Sequence, residues 1–269
     1  RAGVDYMPQF KYNMNFGIQL GDEPTGKFDS NGNLTHFGKL ADMLKGFTGY
    51  EPDEYVTMVG SPTFTNFKFL VDVLPCKNKK WHFTLGFYAG RQKVAKAINE
   101  ITDAPTVLAV NIYNNLYDKV LNEEEIFMGL ELPPDVAERI LNYGKMGMVL
   151  GNYRHDIKDE MGNIIHKKGE PYRMFPNEES MIKSYIKANK IRPYLGFGYG
   201  NTLSRNKKIN CSFDCGVMYL GGVHVYTHDG TCLSHDVKDY CSSIKTYMNI
   251  FNNAKVYPVI DFRISYRLF

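Results

Sequence analysis

The chain has 269 residues, 43% of them hydrophobic and 23% charged, with a formal net charge of +3 and a mean hydropathy of -0.34. That length fits one large domain or two small ones. No stretch of 18 apolar residues occurs, which excludes helical membrane spans, and so small a charge leaves no electrostatic footprint for nucleic acid.

The first twenty residues alternate without a slip. Ala2, Val4, Tyr6, Phe10, Tyr12, Met14, Phe16, Ile18 and Leu20 fall on one face; Asp5, Lys11, Asn13 and Asn15 fall on the other. Period two marks a strand with one apolar and one polar side. As a single strand it would reach about 65 Å, far beyond a bilayer, with Pro8 as a bulge or interruption. Residues 64–74 alternate again, setting Phe67, Phe69, Val71 and Val73 against Lys68 and Asp72. So do 80–90, with Trp81, Phe83, Leu85 and Phe87 against His82 and Thr84, and 191–200, with Leu195, Phe197 and Tyr199 against Arg192, Gly196 and Gly198. In 208–220, Phe213, Val217 and Tyr219 oppose Asp214 and Gly216, with Cys211 and Cys215 as small members of the apolar face. The last segment, 256–268, sets Ile260, Phe262, Ile264 and Tyr266 against Asp261, Arg263 and Arg267, and Phe269 ends the chain.

Connections between these six segments alternate in length. Residues 21–63, 91–190 and 221–255 are long excursions, whereas 75–79 and 201–207 are short turns. Long and short in alternation is the pattern of an outer-membrane barrel, with extended loops outside and tight turns in the periplasm. The final strand then runs inward and leaves the C-terminus periplasmic. Within the excursions, 105–121, 133–143 and 236–251 show helical spacing, and 146–174 could form an outer hairpin. The fold class expected is therefore all-β: one antiparallel up-and-down transmembrane barrel over 1–269, of about eight strands, with long, partly helical external loops. Six segments fall short of the eight strands that known single-chain membrane barrels need to leave no edge in lipid. Two further strands are expected, ahead of Arg1 in preference to within the loops, because the alternation is already in phase at Arg1 and Ala2 and because the polar runs Arg154-His155-Asp156 and His166-Lys167-Lys168 break the candidate hairpin within 146–174.

Other motifs read blandly. Gly196, Gly198 and Gly200 fit an inner wall beside bulky neighbours better than a phosphate loop. Asp29-Ser30-Asn31-Gly32-Asn33 lacks the remaining calcium ligands and reads as a turn. The seven His form no metal-binding pair, and surface positions are the default for them. Cys232 and Cys241 share an external loop and could bridge. No catalytic residue, metal or cofactor is expected.

Several stretches together resemble the small outer-membrane β-barrel proteins of Bacteroidetes. These are Arg1-Ala2-Gly3-Val4-Asp5-Tyr6, Phe69-Leu70-Val71-Asp72-Val73-Leu74-Pro75, Arg192-Pro193-Tyr194-Leu195-Gly196-Phe197-Gly198-Tyr199-Gly200, Phe213-Asp214-Cys215-Gly216-Val217-Met218-Tyr219 and Ile264-Ser265-Tyr266-Arg267-Leu268-Phe269. The resemblance covers the strands and hardly touches the loops. It implies an outer-membrane location, lipid as the surroundings, and Tyr266 and Phe269 as the signal read by the barrel-assembly machinery.

The role expected is a closed barrel that anchors external loops for binding, including binding to another outer-membrane complex. Its interior would be blocked by a charge network of Lys68, Asp72, Arg192, Asp214, Asp261, Arg263 and Arg267, together with Asp5 and Lys11. Two alternatives stay open: a narrow channel lined by the same charges, and a soluble exported lipocalin-like barrel with its apolar face inward.

Overall fold

The computed structural model describes residues 1–6, 10–75, 80–125, 133–202, 209–253 and 255–266. The strands are β1 (Ala2–Tyr6), β2 (Tyr12–Gly17), β3 (Gln19–Leu20), β4 (Tyr55–Pro62), β5 (Thr65–Val73), β6 (Trp81–Gly90) and β7 (Lys93–Asn99). They continue as β8 (Met146–Tyr153), β9 (Ile157–Lys158), β10 (Ile164–His166), β11 (Pro171–Met174), β12 (Lys183–Lys187) and β13 (Ile191–Thr202). The last are β14 (Ile209–Tyr219), β15 (His224–Thr227), β16 (Val237–Lys238) and β17 (Val256–Tyr266). Helices are α1 (His36–Thr48), α2 (Ala104–Leu121), α3 (Pro134–Tyr143), α4 (Leu233–Asp236) and α5 (Ser242–Asn253).

The fold is antiparallel β, in sheets curled into half-barrels. The six alternating segments form one basal sheet in the order β1-β5-β6-β13-β14-β17. Its register is regular: Val73, Phe83, Phe197, Cys215 and Ile260 are successive partners across five strands, all on the outward face. Among the described residues β1 pairs with β5 alone and β17 with β14 alone, so the two are not partners and both are edges.

A second, cap sheet has the order β2-β4-β7-β12-β15. Each of its strands adjoins in sequence one basal strand, and the lateral order is the same: β1, β5, β6, β13, β14. The cap is thus the basal wall carried on past short breaks at Thr63–Phe64, Arg91–Gln92, 188–190 and 220–223. This corrects two expectations. The segment 1–20 is not one strand; it supplies β1, β2 and β3 to three different sheets. The long excursions are also not chiefly loops, since 55–62, 93–99, 183–187 and 224–227 extend the wall.

The faces invert between the two sheets. In the basal sheet the apolar residues point outward, so that Val4 is 69% and Ile260 70% exposed. In the cap they point inward, so that Phe16 is 6% and Met58 1% exposed. The even-numbered set that faces outward in β1 therefore faces inward in β2. Lys11, expected inside, lies exposed on the cap's outer side for the same reason.

The cap's core is completed by β8, which pairs with β3, β11 and β16. The expected hairpin within 146–174 is the pair β8–β11. Helix α2 carries Pro105 in its first turn, as expected, and its Asn114 side chain bonds both the N–H and the C=O of Met146, pinning β8. Helix α3 stops at Gly144, whose φ of 77° suits glycine. The helix expected over 236–251 starts later, because Val237–Lys238 pairs with β8. Asp29 Oδ1 accepts from the N–H groups of Asn31 and Asn33, the turn the sequence indicates. Cys232 and Cys241 are free thiols, not a bridge.

Candidate functional site

The basal interior is filled by ion pairs and apolar side chains that interleave, as where Lys68, Leu70 and Asp72 follow one another on the inward face of β5. Lys68 holds Asp5 Oδ1 at 2.7 Å and Asp261 Oδ2 at 3.3 Å. Arg1 holds Asp72 through Nε and Asp214 through Nη2, with Nη2 also on His82 Nε2. Thr84 donates to Asp72 at 2.8 Å. Glycine makes this reach possible. Gly198 is the register partner of both His82 and Asp214, and a Cβ there would collide with both, so the two meet across a bare strand. Gly196 and Gly216, partners of each other, leave the floor on which the Tyr194 ring lies.

The apolar part is a cluster in which Leu70, Tyr88, Tyr194 and Met218 are buried together, and the two tyrosines meet edge to face at 5.5 Å. Arg192 belongs here, fully buried, and not with the ion pairs. Its guanidinium bonds Asn66 Oδ1 and the Arg91 carbonyl and lies 5.0 Å above the Phe64 ring. Arg263 donates to Ser212 Oγ at 3.0 Å, and among the described residues it too is hydrogen-bonded without a carboxylate. Tyr266 is exposed on the outward face; Arg267 and Phe269 lie outside the described residues.

Arg1 and His82 were missing from the expected network. Strand parity places His82 inward, but a lone His carries no motif, and the surface default failed for it: His82 is buried. Asp72, His82 and Asp214 have donor atoms close enough for a metal, yet the Arg1 guanidinium bonds all three. A second cluster, His155, His235 and Asp236, lies in the cap. His155 Nε2 is 3.3 Å and His235 Nδ1 2.7 Å from Asp236 Oδ1. These donors could hold a divalent ion. Eighty positions separate the two His, so spacing alone could not reveal them.

The cap encloses a cavity of about 370 Å³. Its floor follows from the register. Gly60, Ala97 and Ser184 are successive partners across β4, β7 and β12, and Pro62, Ala95 and Ile186 form the next inward row. Small side chains in one row leave a trough in the wall. A Cβ on Gly60 would meet nothing closer than the Tyr12 carbonyl at 3.5 Å. Met58, Met174, Val225 and Leu233 wall the space, and α5 covers it with Ile244, Met248 and Phe251. Helix α5 lies against both edge strands of the cap sheet, β2 and β15. At the β2 seam the Tyr12 and Tyr247 hydroxyls are hydrogen-bonded and their rings meet edge to face at 5.5 Å.

No protein-family model and no curated protein matches the chain. Among solved structures, it is similar to Acinetobacter baumannii CarO, with 10% identity and a TM-score of 0.28 over 79% of this chain and 74% of that one. It is also similar to Acinetobacter baumannii CarO2, with 12% identity and a TM-score of 0.22 over 95% of this chain and 99% of that one.

Proposed function

We propose that the chain is an integral outer-membrane protein whose barrel is plugged and serves to hold the cap outside the cell, where the cap binds its ligand or partner. The observation that carries this reading is the inversion of faces at one common level of a continuous wall. A wall with apolar residues outward below and inward above suits lipid below and water above. The outward belt is bounded by aromatic residues, with Trp81, Tyr199 and Tyr266 toward one rim and Tyr6 and Tyr219 toward the other, as at bilayer interfaces. Between Cys211 and Tyr219 the belt runs for nine residues, matching the roughly 9–11 that a tilted strand needs to span.

The resemblance to Bacteroidetes outer-membrane barrels supports the same location, with the cap extracellular and the strand ends at Trp81 and Tyr266 periplasmic. In lipid the free edges of β1 and β17 require partners, which a barrel of about eight strands supplies. The filled interior favours an anchor over a channel: ion pairs and packed rings occupy it together. Biogenesis then uses the barrel-assembly machinery, and the exposed cap is free to meet another outer-membrane complex.

The test is direct. The protein should fractionate with outer membranes, migrate faster unboiled than boiled, and give no steady conductance in a planar bilayer. A protease site inserted at Met161, 89% exposed in the cap, should be cut on intact cells. Recovery as a soluble monomer without detergent, or a stable ohmic conductance, would overturn the reading.

A further inference from the structure

We infer that the cap chamber is a binding site for an uncharged, largely hydrocarbon ligand, admitted at the seam between β2 and α5. This rests on the cap being the working part of the molecule. Three observations carry it. The first is size and wall chemistry: about 370 Å³ lies within the range of clefts that hold small molecules, and Met, Leu, Ile, Val and Phe side chains provide most of the wall. Among the described residues Lys96 is the one charged residue along it, and it is exposed with a parity on β7 opposite to that of Ala97, so a charged ligand would find no inward counter-ion.

The second is that the hollow is built into the sheet. Gly60, Ala97 and Ser184 sit in register on three neighbouring strands, in a row where leucine-sized residues would close the space. An inward row of a cap sheet under a covering helix would ordinarily be filled to close packing. The third is the seam itself. Phe10 and Ile250 are exposed beside the Tyr12–Tyr247 contact and also line the chamber, so apolar surface runs from the outside to the interior at this point. Pro62 and Ala95, next to the breaks between the cap and basal strands, form the chamber's lower edge. The ligand's source is thus either an acyl chain from the adjoining leaflet or a small apolar molecule from the aqueous side.

The experiment uses the folded protein held in an amphipathic polymer without lipid and titrated with the uncharged fluorophore N-phenyl-1-naphthylamine. Saturable binding to one site is expected. Ala97→Leu and Gly60→Leu, which fill the trough from adjacent strands, should each weaken it by about tenfold or more while keeping the fast-migrating unboiled band. A fluorescence rise that never saturates, or equal binding by either folded variant, would overturn the inference. Acyl chains extracted with the wild-type protein and depleted in the variants would assign the bilayer as source. A saturable probe site with no such chains would assign the aqueous side. Failure of membrane integration would sink the anchor reading yet leave the probe result standing, so the two can fail separately.

Discussion

Lys68 Nζ on β5 lies 3.3 Å from Asp261 Oδ2 on β17, although β6, β13 and β14 stand between those strands in the sheet. Only the curl of the sheet brings them together. The same ammonium holds Asp5 on β1, so one cation ties both edge strands to the interior. Lys68→Met would leave two carboxylates in one interior without their cation. Loss of one member of a fully buried pair costs about 3–5 kcal/mol; these carboxylates are partly exposed, so about 1–3 kcal/mol is expected. The unfolding midpoint in urea measures it. Adding Asp261→Asn should recover part of the loss, and an unchanged midpoint for Lys68→Met would refute the tie.

Ile260 and Asp261 are neighbours with opposite surroundings. Ile260 stands in the outward belt, and Ile260→Arg should cost roughly 2–4 kcal/mol if that belt meets the bilayer core. Tyr266→Asp, nearer the rim, should cost less. Met161→Arg, on the exposed tip beyond β9, should be neutral. Folding yield into lipid vesicles separates these outcomes, and equal yields for Ile260→Arg and Met161→Arg would remove the lipid from the argument.

Much of the basal sheet was legible in the sequence, because alternation fixes which residues share a face. It does not fix which side of that face is the core. Val4 and Phe16 share parity, yet one faces out of the molecule and the other into it, since β1 belongs to the basal sheet and β2 to the cap, where the faces are inverted. Two of the extension strands stayed hidden in the excursions because they are short: Lys183–Lys187 and His224–Thr227 offer too few residues to show a period. The chamber stayed hidden because Gly60, Ala97 and Ser184 are aligned only by register between distant strands. Arg192 was placed on the correct face, but its depth, beside Phe64 and above the ion pairs, depends on strand stagger that no single segment records.

The cap should loosen in acid. Hydrogen bonds from Lys27 and then Lys45 pull the Glu51 carboxyl down to about 2. Burial opposes ionisation of Asp229, but the bonds it accepts from Thr227, Thr231 and Tyr172 hold it below its ordinary value. For a carboxylate depressed by folding, the stabilisation is complete above its unfolded pKa, about 4, and is lost as pH falls through the folded value. The window for Glu51 therefore runs from about 4 down to about 2. Hydrogen-exchange protection of the cap strands, measured relative to intrinsic exchange at each pH, should fall across it, and Asp229→Asn should flatten the lower part of the response. A loss of protection on raising the pH from neutral would contradict this account.

Gly196 and Gly216 face each other across β13 and β14 beneath the Tyr194 ring, but their surroundings differ in kind. The atoms nearest a Cβ at Gly196 are all in the Tyr194 side chain, whereas one at Gly216 would also meet the Leu195 carbonyl at 2.5 Å. Each alanine substitution alone should cost about 1–3 kcal/mol, the usual range for overpacking a filled interior. The double variants should then diverge. Tyr194→Leu removes the phenol that blocks Gly196→Ala, so that pair should be less destabilised than the sum of its single changes. It cannot move the backbone oxygen that blocks Gly216→Ala, so that pair should stay near additive. Unfolding midpoints for the two double-mutant cycles decide the matter. Equal coupling in both cycles would mean that the Tyr194 ring, and not the strand backbone, sets the limit at each glycine.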